Sequence, residues 1–187
     1  MASTLEALLL AQVSTAFDNT PQLVSTTTLG SPAASVTYTV VTPYQRILCV
    51  WNAASTRASN PADSLLLRVN GSSSNAYASS YIQSVTGTVT GTATGSLVSS
   101  IQVGTITAST ATLNYWASGS FVVDGANTSS HNTTVQGTAC AFPTASSSYV
   151  GVYSGMYVAG TPVTSVTLLA ANGNINTGSS FSFYGLT

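Results

Sequence analysis

The sequence predicts an all-β domain, a sandwich or barrel of about ten short strands, preceded by a short N-terminal helical arm. Three observations lead there. Runs rich in Val, Ile, Thr and aromatic residues recur with period-two alternation. Gly, Pro, Asn and Ser turn signals separate them. Outside residues 4–17, no stretch carries helical periodicity. A chain of 187 residues is long enough for one such domain with its own core. The arm is assigned to residues 1–24 and the sandwich to residues 25–187.

Ser3-Thr4-Leu5-Glu6 has the form of a capping box, a Ser N-cap with Glu three residues on. Leu5, Leu8, Leu9, Val13, Ala16 and Phe17 follow on one face of a short helix, which Asp18-Asn19-Thr20-Pro21 should stop. That face either packs on its own sandwich or docks on a neighbouring subunit. Gln22 to Pro32 reads as a polar, β-branched bridge. Val36 to Val40 alternates as a strand, and the more continuous apolar run Gln45 to Trp51 suits a central one. Asn52 to Asp63 reads as a loop, Ser64 to Asn70 as a strand, and Asn70-Gly71 as its turn. Ala76 to Val85 is the next strand. Thr86 to Gly95, TGTVTGTATG, is compatible with a strand or an extended loop, its glycines weakening a strand. Leu97 to Ile106 continues the β pattern, and Ala111 to Tyr115 reads as a further strand. Gly125 to Asn132 is a polar loop holding the lone His131. Thr133 to Phe142 and Ser148 to Val158 complete the body.

The chain closes on two strands around one loop, Thr161 to Thr187. Asn172-Gly173-Asn174 marks the turn, and Phe181 and Phe183 alternate with Ser beyond it. A strand so close to the end is expected inside a sheet, where it cannot fray, with both Phe in the core. This stretch resembles the C-terminus of jelly-roll structural proteins of tailed-bacteriophage virions. The matching residues are Pro162 to Leu168, Asn174, Gly178-Ser179, Phe181, Phe183 and Tyr184-Gly185-Leu186. A second piece, Leu65 to Gly71 with Asn75-Ala76-Tyr77, is similar to another segment of those proteins, with Ser72 where they often carry Asp. Together the pieces cover about a quarter of the chain. The resemblance implies a jelly-roll-like antiparallel β-sandwich and a place on a virion, made in the host bacterial cytoplasm. Members of that group are commonly trimeric, so a homotrimer is expected.

Only 4% of the residues are charged, against roughly a quarter in ordinary globular proteins. There is no Lys, and the arginines are Arg46, Arg57 and Arg68. Ser and Thr make about a third of the chain. Such a surface repels itself weakly and suits an assembly component covered by neighbours. Three Arg at net charge −1 leave no footprint for nucleic acid. No apolar run is long enough for a membrane span. Leu8-Leu9-Leu10 lacks the preceding basic residues of a secretory signal.

Chemistry is sparse. Catalysis requires nucleophile, base and orienter to meet in one site, and one His and four acids are scattered along the chain. His131 reads as an exposed loop residue. Asp63 and Asp124 are the pair a glycosidase would need, but Asp63 follows Pro61-Ala62, where an exposed turn is expected. No phosphate loop, dinucleotide fingerprint or metal-ligand spacing is present. No enzyme activity and no cofactor are expected. Cys49 and Cys140 read first as buried free thiols, and second as a single disulfide formed outside a reducing cell. The triplets at Asn70, Asn127 and Asn132 have the glycosylation pattern but arise readily by chance in so hydroxyl-rich a chain. Tyr77, Tyr81, Tyr115, Trp116, Tyr149, Tyr153 and Tyr157 are read first as sandwich or interface packing, and second as sugar-stacking platforms.

The expected function is therefore a non-enzymatic virion structural protein, a capsid decoration (cement) protein bound to the major capsid protein at the capsid surface. The alternative is a receptor-binding module of a tail fibre with glycan as partner. A chain opening on its own Met with 187 residues leaves no room for a long fibre shaft, which favours decoration. The candidate subunit or shell interface is Leu5, Leu8, Leu9, Val13 and Phe17.

Overall fold

Short alternating runs with apolar inward positions can bury their faces only against one another, and the chain does so as two facing antiparallel sheets. A computed structural model describes residues 20–94, 96–112 and 115–186. Every regular element among them is a strand. In order they are β1 (Gln22–Thr28), β2 (Val36–Thr39), β3 (Arg46–Ala53), β4 (Ala62–Val69), β5 (Tyr77–Val85) and β6 (Thr88–Ala93). They continue as β7 (Ile101–Thr107), β8 (Ala117–Asp124), β9 (Thr133–Thr144), β10 (Ser147–Tyr157), β11 (Ser165–Ala170) and β12 (Ser180–Leu186). An eight-stranded sheet runs β1-β12-β3-β8-β9-β10-β5-β6, and a four-stranded sheet runs β2-β11-β4-β7.

The core lies between the sheets. From β3, Ile47, Cys49, Trp51 and Ala53 point inward, meeting Leu65, Leu67 and Val69 of β4 and Val166 and Leu168 of β11. Trp51 occupies a slot kept open by glycines on both sheets. A Cβ on Gly119 of β8 would stand 2.5 Å from its ring, and one on Gly104 of β7 would stand 2.6 Å from it. Phe183 of β12 stacks on Tyr38 of β2 at 4.7 Å between centroids, joining the sheets at another point. Both closing Phe are buried, as their alternation with Ser predicts.

The last strand lies inside its sheet, between β1 and β3, one place from the edge. Its neighbour in sequence, β11, is in the other sheet, so the loop Ala171–Ser179 crosses the sandwich instead of closing a hairpin. Asn70 and Gly71 both have positive φ, 54° and 66°, and Ser72 N donates to Val69 O at 3.0 Å, closing the predicted turn.

The structure corrects several readings. Gln22 to Thr28 is a strand, not a bridge, and it begins before the expected boundary at residue 25. Its half-exposed edge position leaves no alternating burial to read, but its β-branched residues pair with β12. Residues 88–93 form a fully exposed edge strand, β6, resolving the low-complexity stretch. The strand expected over Ala111 to Tyr115 lies in part outside the described residues. Ala111 and Thr112 are held in a turn, through Ala111 N to Ala108 O and Thr112 N to Pro143 O. The expected N-terminal helical arm falls on residues outside the described ones.

Candidate functional site

The apolar set named for the interface, Leu5, Leu8, Leu9, Val13 and Phe17, lies outside the described residues. The residues singled out for chemistry are all described, and the fold separates them. Asp124 ends β8 and pairs with Arg46 at 3.4 Å, both about half exposed. Asp63 is on the other sheet and is buried, contrary to the exposed turn expected from Pro61-Ala62. A buried carboxylate must be matched by donors. Here Ser55 Oγ donates at 2.8 Å, Asn172 Nδ2 at 3.0 Å and Asn172 N at 3.3 Å, with the Arg57 guanidinium at 3.8 Å. Asp63 thus clasps the β3–β4 connection to the β11–β12 loop and is not free to act on a substrate. His131 is exposed in its loop, with Nδ1 3.1 Å from Ser130 Oγ. Among the described residues, no group of three His, Cys, Asp or Glu could hold a metal ion, and no helix is long and apolar enough to cross a membrane.

The cysteines differ from their reading as a buried pair. Cys49 faces the core, where burial pushes its thiol well above the usual range. Cys140 faces the outer side of the same sheet and is only partly buried, with Sγ 3.4 Å from Ser118 Oγ. Both are free, and side chains on opposite faces of a sheet cannot bridge.

Spacing by four puts Tyr149, Tyr153 and Tyr157 on one face of β10, the inner one. Tyr157 stacks on Tyr77 at 5.0 Å and Tyr153 leans on Tyr81 at 5.7 Å, so the deeper tyrosines are sandwich packing. Burial raises the pKa of both Tyr77 and Tyr153, only partly offset by their hydrogen bonds. The eight-stranded sheet overhangs the smaller one beyond β7, and there the row emerges into a polar cleft of about 180 Å³. Tyr81 and Tyr149 form its aromatic part. Gln83, Gln102, Asn60 and Arg57 supply amide and guanidinium groups. Gln83 Oε1 accepts from Tyr153 Oη and Thr105 Oγ1, both at 3.2 Å, which fixes the amide with its NH₂ left to donate. The arrangement can hold a small polyhydroxylated ligand. Among the described residues that line it, no nucleophile is paired with a base.

No family model and no curated protein matches the chain. Among solved structures, it is similar to a fructofuranosidase from Schwanniomyces occidentalis complexed with fructosylnystose, at 7% identity and a TM-score of 0.33. The match covers 91% of this chain and 35% of that one. A likeness this slight carries no argument about fold or activity.

A second feature escaped sequence reading. The outer face of the eight-stranded sheet exposes Val50, Ile82, Val89, Phe142, Val150 and Val152. Most of them surround a shallow hollow of about 790 Å³ with Cys140 in its lining. Alternation hid this face, because the inward positions of the same strands are also apolar. The two sets together read as the continuous runs of a strand buried on both sides.

Proposed function

We propose that the chain is a non-catalytic structural protein of a tailed-bacteriophage virion, a decoration protein seated on the major capsid protein as a homotrimer. One observation carries this reading. The two sequence pieces that resemble phage jelly-roll proteins lie about ninety residues apart and fold into a single unit. β4 pairs with β11 in register, from Val69 opposite Val166 to Leu65 opposite Ala170. At the end of β4, Asn70 Oδ1 accepts from Thr164 N (2.7 Å), Thr164 Oγ1 (3.0 Å) and Ser165 N (3.2 Å), and Asn70 Nδ2 donates to Pro162 O at 3.0 Å. Tyr77 closes the same corner, accepting from Val69 N at 3.0 Å. That the two pieces meet at one joint supports reading their likenesses together.

The strand order supports a jelly roll. Successive strands β2, β3, β4 and β5 alternate between sheets, β5 and β6 form a hairpin, and β7 and β8 cross over again before β11 returns beside β4. The small sheet then reads as one four-stranded half of the roll, and β3-β8 with β5-β6 as the other, widened by the β9–β10 hairpin and by β12 and β1. The near-absence of charge supports a surface that works against other protein.

Purified protein mixed with shells of the major capsid protein of the same phage should sediment with them, at saturating ratios that follow the shell's symmetry. Protein that stays in the supernatant at all concentrations would overturn decoration. The polar cleft at Tyr149 favours a second reading, a glycan-binding module of a tail fibre. Under that reading Tyr149→Ala abolishes retention on host-surface polysaccharide.

A further inference from the structure

The polar cleft beside Tyr149 is built from donors whose own acceptors are already taken. Gln83 of β5 lines it, across from Gly151 of β10. A Cβ on Gly151 would stand 2.9 Å from the Gln83 Cβ and 3.0 Å from Tyr153 Oη, so glycine keeps open the place where this side chain lies. With Oε1 engaged by Tyr153 and Thr105, the Gln83 amide is left to donate. Asn60 is in the same state, since its Oδ1 accepts from Ala62 N at 3.0 Å and leaves Nδ2 to donate. Arg57 carries donors only. Its Nε and Nη1 donate to Ser59 Oγ and Ala62 O at 3.3 and 3.1 Å, while Nη2 makes no hydrogen bond among the described residues. Asp63 beside it is met by donors from Ser55, Ser64 and Asn172, and stands 3.8 Å from Nη1, beyond hydrogen-bond length. Tyr81 and Tyr149 flank the Gln83 position, each two residues off along the strands, about 7 Å. We propose that this cleft takes a carboxylated sugar, one hexuronic acid residue of a polysaccharide, with the carboxylate on Arg57 and the neighbouring amides and the sugar ring against the tyrosines.

The balance of donors and acceptors selects the acid. A sugar hydroxyl both donates and accepts, so a neutral sugar brings further donors to a set that needs acceptors. A carboxylate only accepts, and its hydrogen bonds to a guanidinium are charge-assisted. At about 180 Å³ the cleft is smaller than the pockets that take drug-sized ligands, and it suits a single sugar residue rather than a length of chain. The assignment rests on the glycan reading of the cleft and narrows it to acidic sugars.

Titration of the full-length protein with glucuronate, its neutral methyl ester and glucose, followed by ligand-observed NMR, tests this. Glucuronate should bind about tenfold more tightly than either neutral sugar, the difference between charge-assisted and neutral hydrogen bonds. Tyr149→Ala should remove the binding, and Arg57→Gln should erase the preference for the acid. Equal affinities for the three sugars would overturn the proposal and leave the glycan reading standing. Binding of none would overturn both. Glucuronate binding that survives Tyr149→Ala would put the site elsewhere, such as at the half-exposed Arg46, and overturn it as well. So would a preference for the acid that persists in folded Arg57→Gln. The comparison of acid with ester is made on the wild-type protein, so it decides the matter even where Arg57→Gln does not fold.

Discussion

Replacing Phe183 by Ala tests how the two sheets are held together. Phe183 is 1% exposed, sits on β12 between Ser25 of β1 and Cys49 of β3, and stacks on Tyr38 from the opposite sheet at an interplanar angle of 17°. Truncating a buried Phe costs about 3–5 kcal/mol through lost transfer energy and the cavity left behind. About 0.5–1.5 kcal/mol of that belongs to the aromatic pair. In a domain of this size each kcal/mol moves the melting temperature by about 2–4 °C, so a fall of roughly 6–20 °C is expected. Trp51 is buried in the same core, and its fluorescence reports the transition during heating or urea titration. Val41→Ser, at a loop position 83% exposed, is the control and should stay within about 0.5 kcal/mol of wild type. Combined with Tyr38→Ala, the loss should be smaller than the sum, because the second truncation removes a contact already gone. A Phe183→Ala protein that melts within about 2 °C of wild type would refute the account of β12 as a buried strand tying the layers.

Further outcomes follow from the same packing. Asp63→Ala strands the donors of Ser55 and Asn172 and should cost about 2–4 kcal/mol by urea unfolding. A cost under about 0.5 kcal/mol would show that the clasp is dispensable. Gly119→Ala places a methyl 2.5 Å from both the Trp51 ring and Thr138 O, and overpacking should cost about 1–3 kcal/mol and shift the Trp51 emission. Tyr38, Tyr77 and Tyr153 all have pKa values raised above the ordinary 10.0 by burial. Their folded-state values exceed the unfolded ones, so their contribution is complete below pH 10 and is lost as pH climbs through the raised values. The urea midpoint should therefore fall above pH 10.0, and Tyr153→Phe should flatten that fall. An unchanged slope would show that these hydroxyls ionise as freely in the folded protein.

The sandwich was legible where inward positions are large and outward ones small or polar. Phe181-Ser182-Phe183 states its face outright, and Asn70-Gly71 states its turn. Strand β1 was not legible, since an edge strand half exposed on both faces leaves no contrast between alternate residues. At Ala111 and Thr112 the opposite error arose, where β-compatible residues are held in a turn by backbone hydrogen bonds to Ala108 and Pro143. Asp63 misled because burial was judged from the Pro61-Ala62 before it. Two of the donors that make burial tolerable come from Asn172, 109 positions away. The spacing of Tyr149, Tyr153 and Tyr157 gave their shared face but not their depth. Depth is set by where the smaller sheet ends, at β7.

The central claim concerns where the protein works, and imaging of intact particles tests it most directly. Virions carrying an epitope-tagged copy of the chain should be compared by electron microscopy with virions lacking it. Decoration requires added density distributed with the symmetry of the head, in threefold units, and absent from the tail. Density confined to the tail tip, or none on the particle, would contradict it.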